Sequence, residues 1–568
     1  MKKTILLILL SFTVSCVMAI PAKRGLWKTI RLANGTEIKA ELRGDEYCGY
    51  WQAEDGSIYV KNVEKDFFEP TDMGTVARRA KANRDGANTN SLYRQPSMKV
   101  TPGQPHAPYT GEKRGIIILV QFQDKSFRPE HDVDLYDQIA NADNFTNEMG
   151  FRGSVKDYFR DQSYGKFVID FDVVGPVTMP ENYDFYGSNR TGSTFNAMNV
   201  GQMVKDACMA VDSEVDFTDY DWDGDGEVDQ VFILYAGRGE ASGGDENTIW
   251  PHEWNLESAM ATIHGLGERL PVDGVYVNTY ACSCELATDT RIDGIGTICH
   301  EFSHCLGLPD MYDTSEYGNN YGMNMWDLMD QGSYNGDSFI PAAYTSFERW
   351  YAGWIEPEEL SANQQIDNMP GLNEGSGKAY VIYNDGDRNE YFLLENRQLT
   401  GWDAAIPNSG LLITHVDFDA GLWAKNEVNS SSRQRCTVVL ADNNDEFTPA
   451  GMRSMTSIRG DIYPSSRNGN NTFSNTSSPA AEVYNANTDN SYLLNKAVEN
   501  ITRNNDGTIS FTFVSDGTTE IEGITIPDDL NPSSDHRVYT IDGRYVGSDV
   551  SRLPKGLYIR GGEKFVKR

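Results

Sequence analysis

Positive charge is scarce in this chain: 49 of 568 residues are lysine or arginine against 83 acidic ones, a formal charge of −34. Phosphate backbones repel such a chain, so nucleic acid is excluded as an expected partner. Long apolar runs are scarce too. Beyond the first 19 residues none approaches the ~20 apolar residues of a membrane span. Cysteine is sparse, with eight residues at positions 16, 48, 208, 282, 284, 299, 305 and 436. That count does not make a disulfide scaffold, and Cys299 and Cys305 sit on helix faces too far apart to pair. There are only eight histidines, so two at helical spacing are conspicuous.

What is present favours folded, exported domains. The 39% apolar and 11% aromatic content supports packed cores, and 568 residues exceed one ordinary core. Residues 1–19 read as a secretory signal: Lys2 and Lys3 open it, an apolar run follows, and Val17-Met18-Ala19 forms a small-x-small cleavage site. The rival is anchoring through Cys16, where Thr13-Val14-Ser15-Cys16 loosely matches a lipoprotein box, with threonine where leucine is usual. Residues 20–100 read as a small β unit with hairpin turns at Asn34-Gly35 and Asp55-Gly56. A basic, core-poor stretch with Arg78, Arg79, Lys81 and Arg84 follows and reads as exposed and easily cut, the layout of a propeptide. An ordinary N-terminal β domain is the alternative. Residues 101–112 are a Pro/Gly-rich linker.

The catalytic signal is His300-Glu301-Phe302-Ser303-His304-Cys305-Leu306-Gly307-Leu308-Pro309-Asp310, on a helix expected over residues 295–306. Histidines four apart share one helix face and offer two imidazoles to one metal. Glu301, one step round, reaches a water on that metal as general base. Gly307 turns the chain out of the helix and Pro309 stops it resuming. Asp310 then returns as third ligand, with Asp313 as substitute and Glu316 as the remaining nearby acid. A catalytic zinc takes three protein ligands and leaves the fourth place to water. Among the methionines of 323–329, Met329 is expected beneath the metal, and Tyr334 is a candidate oxyanion donor.

Strands are expected over residues 115–122, 167–173 and 228–235, and helices over 155–162, 198–211 and 341–354. In Asp221-Trp222-Asp223-Gly224-Asp225-Gly226-Glu227-Val228-Asp229, carboxylates alternate around glycines. Position twelve is Phe232 and no helix exits, so this is not an EF-hand. It reads as a calcium loop built onto a strand, with Asp221, Asp223, Asp225 and Asp229 as ligands.

The residues around 300–313 resemble the zinc signature of immune inhibitor A-type peptidases, the sixth metallopeptidase family, which bacteria secrete. Ser154-Val155-Lys156-Asp157-Tyr158-Phe159 with Gln162-Ser163-Tyr164-Gly165, the Asp221–Asp229 loop, Ile249-Trp250-Pro251-His252 and Trp326-Asp327-Leu328-Met329 agree with it in order. So do Glu390-Tyr391-Phe392-Leu393-Leu394-Glu395-Asn396-Arg397 and Gly410-Leu411-Leu412-Ile413 with His415 and Asp417. The resemblance implies an α+β zincin-type catalytic domain over residues 110–357, a calcium site, and endopeptidase activity on proteins. A β-sandwich-like domain is expected over 370–516, and a small β tail over 520–568. That tail resembles, in shortened form, the sorting domains of type IX secretion, which implies contact with secretion machinery. The expected function is a secreted zinc endopeptidase. The alternative is a non-catalytic adhesin on a peptidase scaffold, which the intact Glu301 argues against. No carboxylate pair is spaced for glycoside hydrolysis.

Overall fold

The strand Gly111–Gln121 is hydrogen-bonded along both edges, parallel to Phe167–Thr178 on one side and to Val231–Arg238 on the other. Its run from Ile116 to Val120 is buried throughout, as a strand covered on both faces requires. The sheet continues through Thr279–Leu286, parallel to Val231–Arg238, and ends on the antiparallel edge strand His252–Asn255. The computed structural model describes residues 18–62, 65–88, 109–188, 199–245, 247–264, 267–315, 320–445, 454–516 and parts of 538–567. The signal-peptide reading over residues 1–17, Cys16, most of the 101–112 linker and Glu316 lie outside them.

The N-terminal unit is a five-stranded antiparallel sheet over residues 27–71, with both expected hairpins and a fifth strand, Phe67–Thr71. The basic stretch is not an open linker. It forms the helix Met73–Asn88, because Val76, Ala77, Ala80 and Asn83 recur on one face and are buried, while Arg78, Arg79 and Lys81 stay exposed. The stripe consists mainly of small residues, which is why composition hides it.

The helix expected over 341–354 is only Ser346–Tyr351, started by a Thr345–Glu348 capping box. Beyond it, the strands Ala379–Asn384, Asp387–Arg397 and Gly410–Asp417 form the middle of a five-stranded sheet, and a three-stranded sheet packs on it. The alternation along Asp387–Arg397 shows how this sheet is held. Phe392 and Leu394 join Phe511 and Phe513 in one core, whereas Tyr391 and Leu393 join Phe302, Met311 and Met329 in another. A single apolar core thus runs between the metal-motif helix and the β-rich region, and residues 1–517 form one unit. At that seam Arg397 is fully buried, paired to Glu395 and Asp403, and donates to the Trp326 carbonyl at 3.0 Å.

Residues 518–568 form a separate unit. There the strands Val538–Thr540, Tyr545–Gly547, Gly556–Arg560 and Glu563–Lys567 make an antiparallel four-stranded sheet. Among the described residues, no helix is long and apolar enough to cross a membrane.

Candidate functional site

The motif helix is Ile295–Cys305, and every residue in it is buried. Gly296 lets the loop after Met329 lie against it: a Cβ there would stand 1.9 Å from the Ser333 carbonyl oxygen. At its C-terminus Gly307 takes a left-handed φ of +87°, and its N–H bonds to the His304 carbonyl at 2.8 Å. The chain then doubles back and brings Asp310 to the two histidines.

His300 Nδ1 donates to the Leu328 carbonyl at 2.8 Å, and His304 Nδ1 to the Leu308 carbonyl at 2.7 Å. These bonds fix both tautomers and leave both Nε2 lone pairs facing inward. The two Nε2 atoms are 3.1 Å apart, and Asp310 Oδ1 lies 3.2 Å from one and 3.4 Å from the other. Asp310 Oδ1 is buried, with the two imidazoles as its polar neighbours. Three acceptor atoms converging this closely fit a cation, since atoms bound at zinc–ligand distance on a tetrahedral ion lie about 3.3 Å apart. Burial alone would raise Asp310 and lower His304. Their mutual attraction outweighs it, taking Asp310 down to about 2 and His304 up to about 9, while burial keeps His300 below its usual value. A cation binding here therefore displaces a proton.

Glu301 lies beside this group. Burial pushes its carboxyl well above the usual range, against the pull of His304 and of a backbone donor, Ile20. That donor is 2.8 Å from Glu301 Oε1. It belongs to residues 18–22, which lie in the cleft beside the motif helix. Met18 pairs antiparallel with Glu253 on the sheet's edge strand. The Ala19 carbonyl accepts from the Tyr312 hydroxyl at 2.8 Å, the Ile20 carbonyl from Trp250 Nε1 at 2.8 Å, and the Pro21 carbonyl from the Tyr334 hydroxyl at 2.7 Å. The peptide group joining Ala19 to Ile20 is thus held at its nitrogen by Glu301 and at its oxygen by Tyr312.

The sequence-derived candidates fall as follows. His300, His304, Asp310 and Glu301 come together. Asp313 is turned away, accepting from the Ser315 and Asn320 amides. Met329 is fully buried, one residue past the carbonyl that holds His300, and its own carbonyl accepts from Met311 at 2.8 Å. Tyr334 contacts the segment one residue beyond Ile20. The sequence also allows Cys48, just after Asp45-Glu46, to place a thiolate or a carboxylate on the metal, but Cys48 stays apart from the His300–His304–Asp310 group: its Sγ lies 4.0 Å from the Gly49 carbonyl, and burial holds the thiol protonated, pushed up to about 12. Asp45 caps its own turn through Tyr47 and Cys48, so backbone rather than a Cys48 or Asp45 side chain reaches Glu301. The seven described cysteines are all buried and unpaired. Asp221, Asp223 and Asp225 cluster closely enough to share an ion, whereas Asp229 Oδ2 accepts from the Trp222 amide. Sequence reasoning missed Tyr312, which stands two residues past Asp310, and the edge strand at Glu253, which begins on the last residue of the Ile249–His252 block that was not read as a strand.

Residues 118–358 match the family description "Immune inhibitor A peptidase M6, catalytic domain". The chain is 28% identical over 300 residues to pre-pro-metalloprotease PrtV of Vibrio cholerae, covering 45% of this chain and 32% of that protein. It is 27% identical over 321 residues to immune inhibitor A of Bacillus thuringiensis subsp. alesti, covering 48% of this chain and 44% of that one. The chain therefore matches less than half the length of either relative.

Proposed function

Residues 118–358 belong to the immune inhibitor A metallopeptidases, and from that premise we propose that the chain is a secreted, zinc-dependent endopeptidase acting on proteins. The observation carrying this reading is the convergence of two Nε2 atoms and Asp310 Oδ1 within 3.4 Å, with the Glu301 carboxylate beside them. His300, His304 and Asp310 would hold the zinc, in a zincin-type arrangement on the helix next to the edge strand. Zinc bound there supplies Lewis acidity to a water and to the substrate carbonyl.

The remaining steps fall to the chain's own groups. The edge strand aligns an extended substrate by antiparallel pairing, as it does Met18. Glu301 takes the proton of the attacking water and returns it to the leaving nitrogen. The Ile20 amide on Glu301 Oε1 supports that reach. Tyr312 donates to the carbonyl on the acyl side, and Tyr334 to one on the leaving side. Residues 18–22 occupy the cleft in the uncleaved chain, and signal cleavage after Ala19 would leave Ile20 to Ala22 there, so residues 20–100 read as a propeptide whose first residues enter the cleft. The Asp221–Asp225 cluster is read as a calcium site that stabilises the fold, and the C-terminal sheet as a sorting module.

The test is casein hydrolysis by the trimmed protein, with and without a zinc chelator, beside Glu301→Ala. Chelation should abolish cleavage and zinc restore it. Glu301→Ala should retain zinc and lose activity by about 10²–10⁴-fold or more. A zinc-loaded, trimmed protein that cleaves no protein or peptide substrate would favour the adhesin reading.

A further inference from the structure

Asp310 is gripped by a residue far beyond the peptidase match. Asn426 Nδ2 donates to Asp310 Oδ2 at 2.6 Å, and Asn426 Oδ1 accepts the Asp310 backbone N–H at 2.7 Å. Both residues are buried. One amide thus meets one residue with a donor and an acceptor together. Only this orientation of the amide works, because the flipped one would set donor against donor and acceptor against acceptor. The bond at Oδ2 leaves Oδ1 turned to the two imidazoles, so the carboxylate's rotation is settled before any ion arrives.

Asn426 is itself held. It follows the short helix Ala420–Trp423, takes a left-handed φ of +56°, and donates its N–H to the Trp423 carbonyl at 3.1 Å. Asparagine is among the few residues that adopt this conformation readily. Its backbone carbonyl accepts from Thr314 Oγ1 at 2.6 Å, tying the loop after Asp310 at a second point. Three residues on, Asn429 Nδ2 donates to the Met311 carbonyl at 2.7 Å. None of these groups touches the reacting atoms.

We propose that Asn426 is a positioning residue for the metal site: it orients Asp310 as third ligand, so the β-rich region completes a site whose ligands all lie in the peptidase domain. The proposal rests on the zinc reading of His300, His304 and Asp310. Partners that orient a ligating carboxylate are worth about 10–100-fold in metal affinity when removed.

The experiment measures zinc affinity of the full chain by chelator competition, with the visible spectrum of the cobalt-substituted protein as a readout of ligand geometry. Glu301→Ala serves as parent to prevent self-cleavage. Asn426→Ala removes both bonds. Asn426→Asp keeps the size and the acceptor but sets a carboxylate against Asp310 Oδ2. Asn429→Ala, on the same loop, is the control for loop support alone. Both Asn426 variants should bind zinc about 10–100-fold more weakly with an altered cobalt spectrum, and Asn429→Ala should lose melting temperature without matching that loss of affinity. If Asn426→Ala fails to fold, Asn426→Asp alone decides. Parental zinc affinity and spectrum in folded Asn426→Asp overturn the proposal, as does an equal loss of affinity in Asn429→Ala. A parent that takes up no zinc sinks the metal reading itself and is a different result.

Discussion

Two tyrosines bond to carbonyls on either side of the Ile20 residue, and their places on the bound segment separate their roles. Tyr312 meets the oxygen of the same peptide group whose nitrogen meets Glu301, and Tyr334 meets an oxygen two residues on. Tyr312→Phe is therefore expected to lower kcat by about 10²-fold or more with little change in KM, as loss of one oxyanion donor does. Tyr334→Phe should mainly raise KM. A larger kcat loss in Tyr334→Phe would reverse the assignment. A second residue-scale effect concerns pH. His252 bonds to the Trp250 carbonyl at 2.7 Å and the Tyr280 hydroxyl at 3.1 Å, and burial lowers its imidazole to about 4. Below pH ~6.5 the unfolded chain takes a proton that the folded one refuses until about pH 4, so stability is full above ~6.5 and falls by about 3 kcal/mol on acidification. Unfolding free energies from pH 7 to 4, in a Glu301→Ala background, should show this slope flattened in His252→Gln. An unchanged slope would assign the acid loss to other groups.

At the scale of elements, the acidic loop before the strand Val231–Arg238 is the most conditional piece of the fold. Asp221 caps the amides of Gly224, Asp225 and Gly226, and Asp225 that of Glu227, so the backbone draws the carboxylates together. Burial, and then the charges of Asp223, Asp221 and Asp225, raise Asp229 to about 7. A carboxyl raised in the folded state costs stability as pH climbs from ~4 towards 7, and a cation removes that cost. Calcium is therefore expected to raise the melting temperature by about a few °C, and by more at pH 8 than at pH 5. A gain that is absent, or larger at pH 5, would count against the site. The elements legible in the sequence were those with strong local patterns. The helix Val155–Gln162 follows its capping box, and the buried strands follow their β-branched runs. The helix Met73–Asn88 was not legible, because a stripe of small residues between arginines carries little periodic signal.

On the scale of the whole molecule, the N-terminal sheet and the cleft segment act as one body. Ala19, Ile20 and Ala22 share a core with Trp51 and Phe68 of the sheet and with Trp250 of the catalytic region. Removing residues through Ala22 withdraws the backbone from Glu301, Tyr312 and Tyr334, and removing the sheet as well withdraws its anchor. Cleavage of a peptide substrate should be lowest for the untrimmed chain and rise on each removal; equal rates for all three would refute latency.

The sequence by itself brought together the candidate metal ligands, because the spacing of His300 and His304 on one helix turn and the Gly307 reversal are local and follow from backbone geometry. Only the tertiary structure decided what surrounds them. The Ile20–Glu301 contact joins residues 281 apart, and the Asn426–Asp310 pair residues 116 apart. Each is made by backbone groups or a lone asparagine that carry no pattern along the chain. Such contacts arise when separate apolar faces pack into one core, and that packing places Asn426 against Asp310 and residues 18–22 in the cleft.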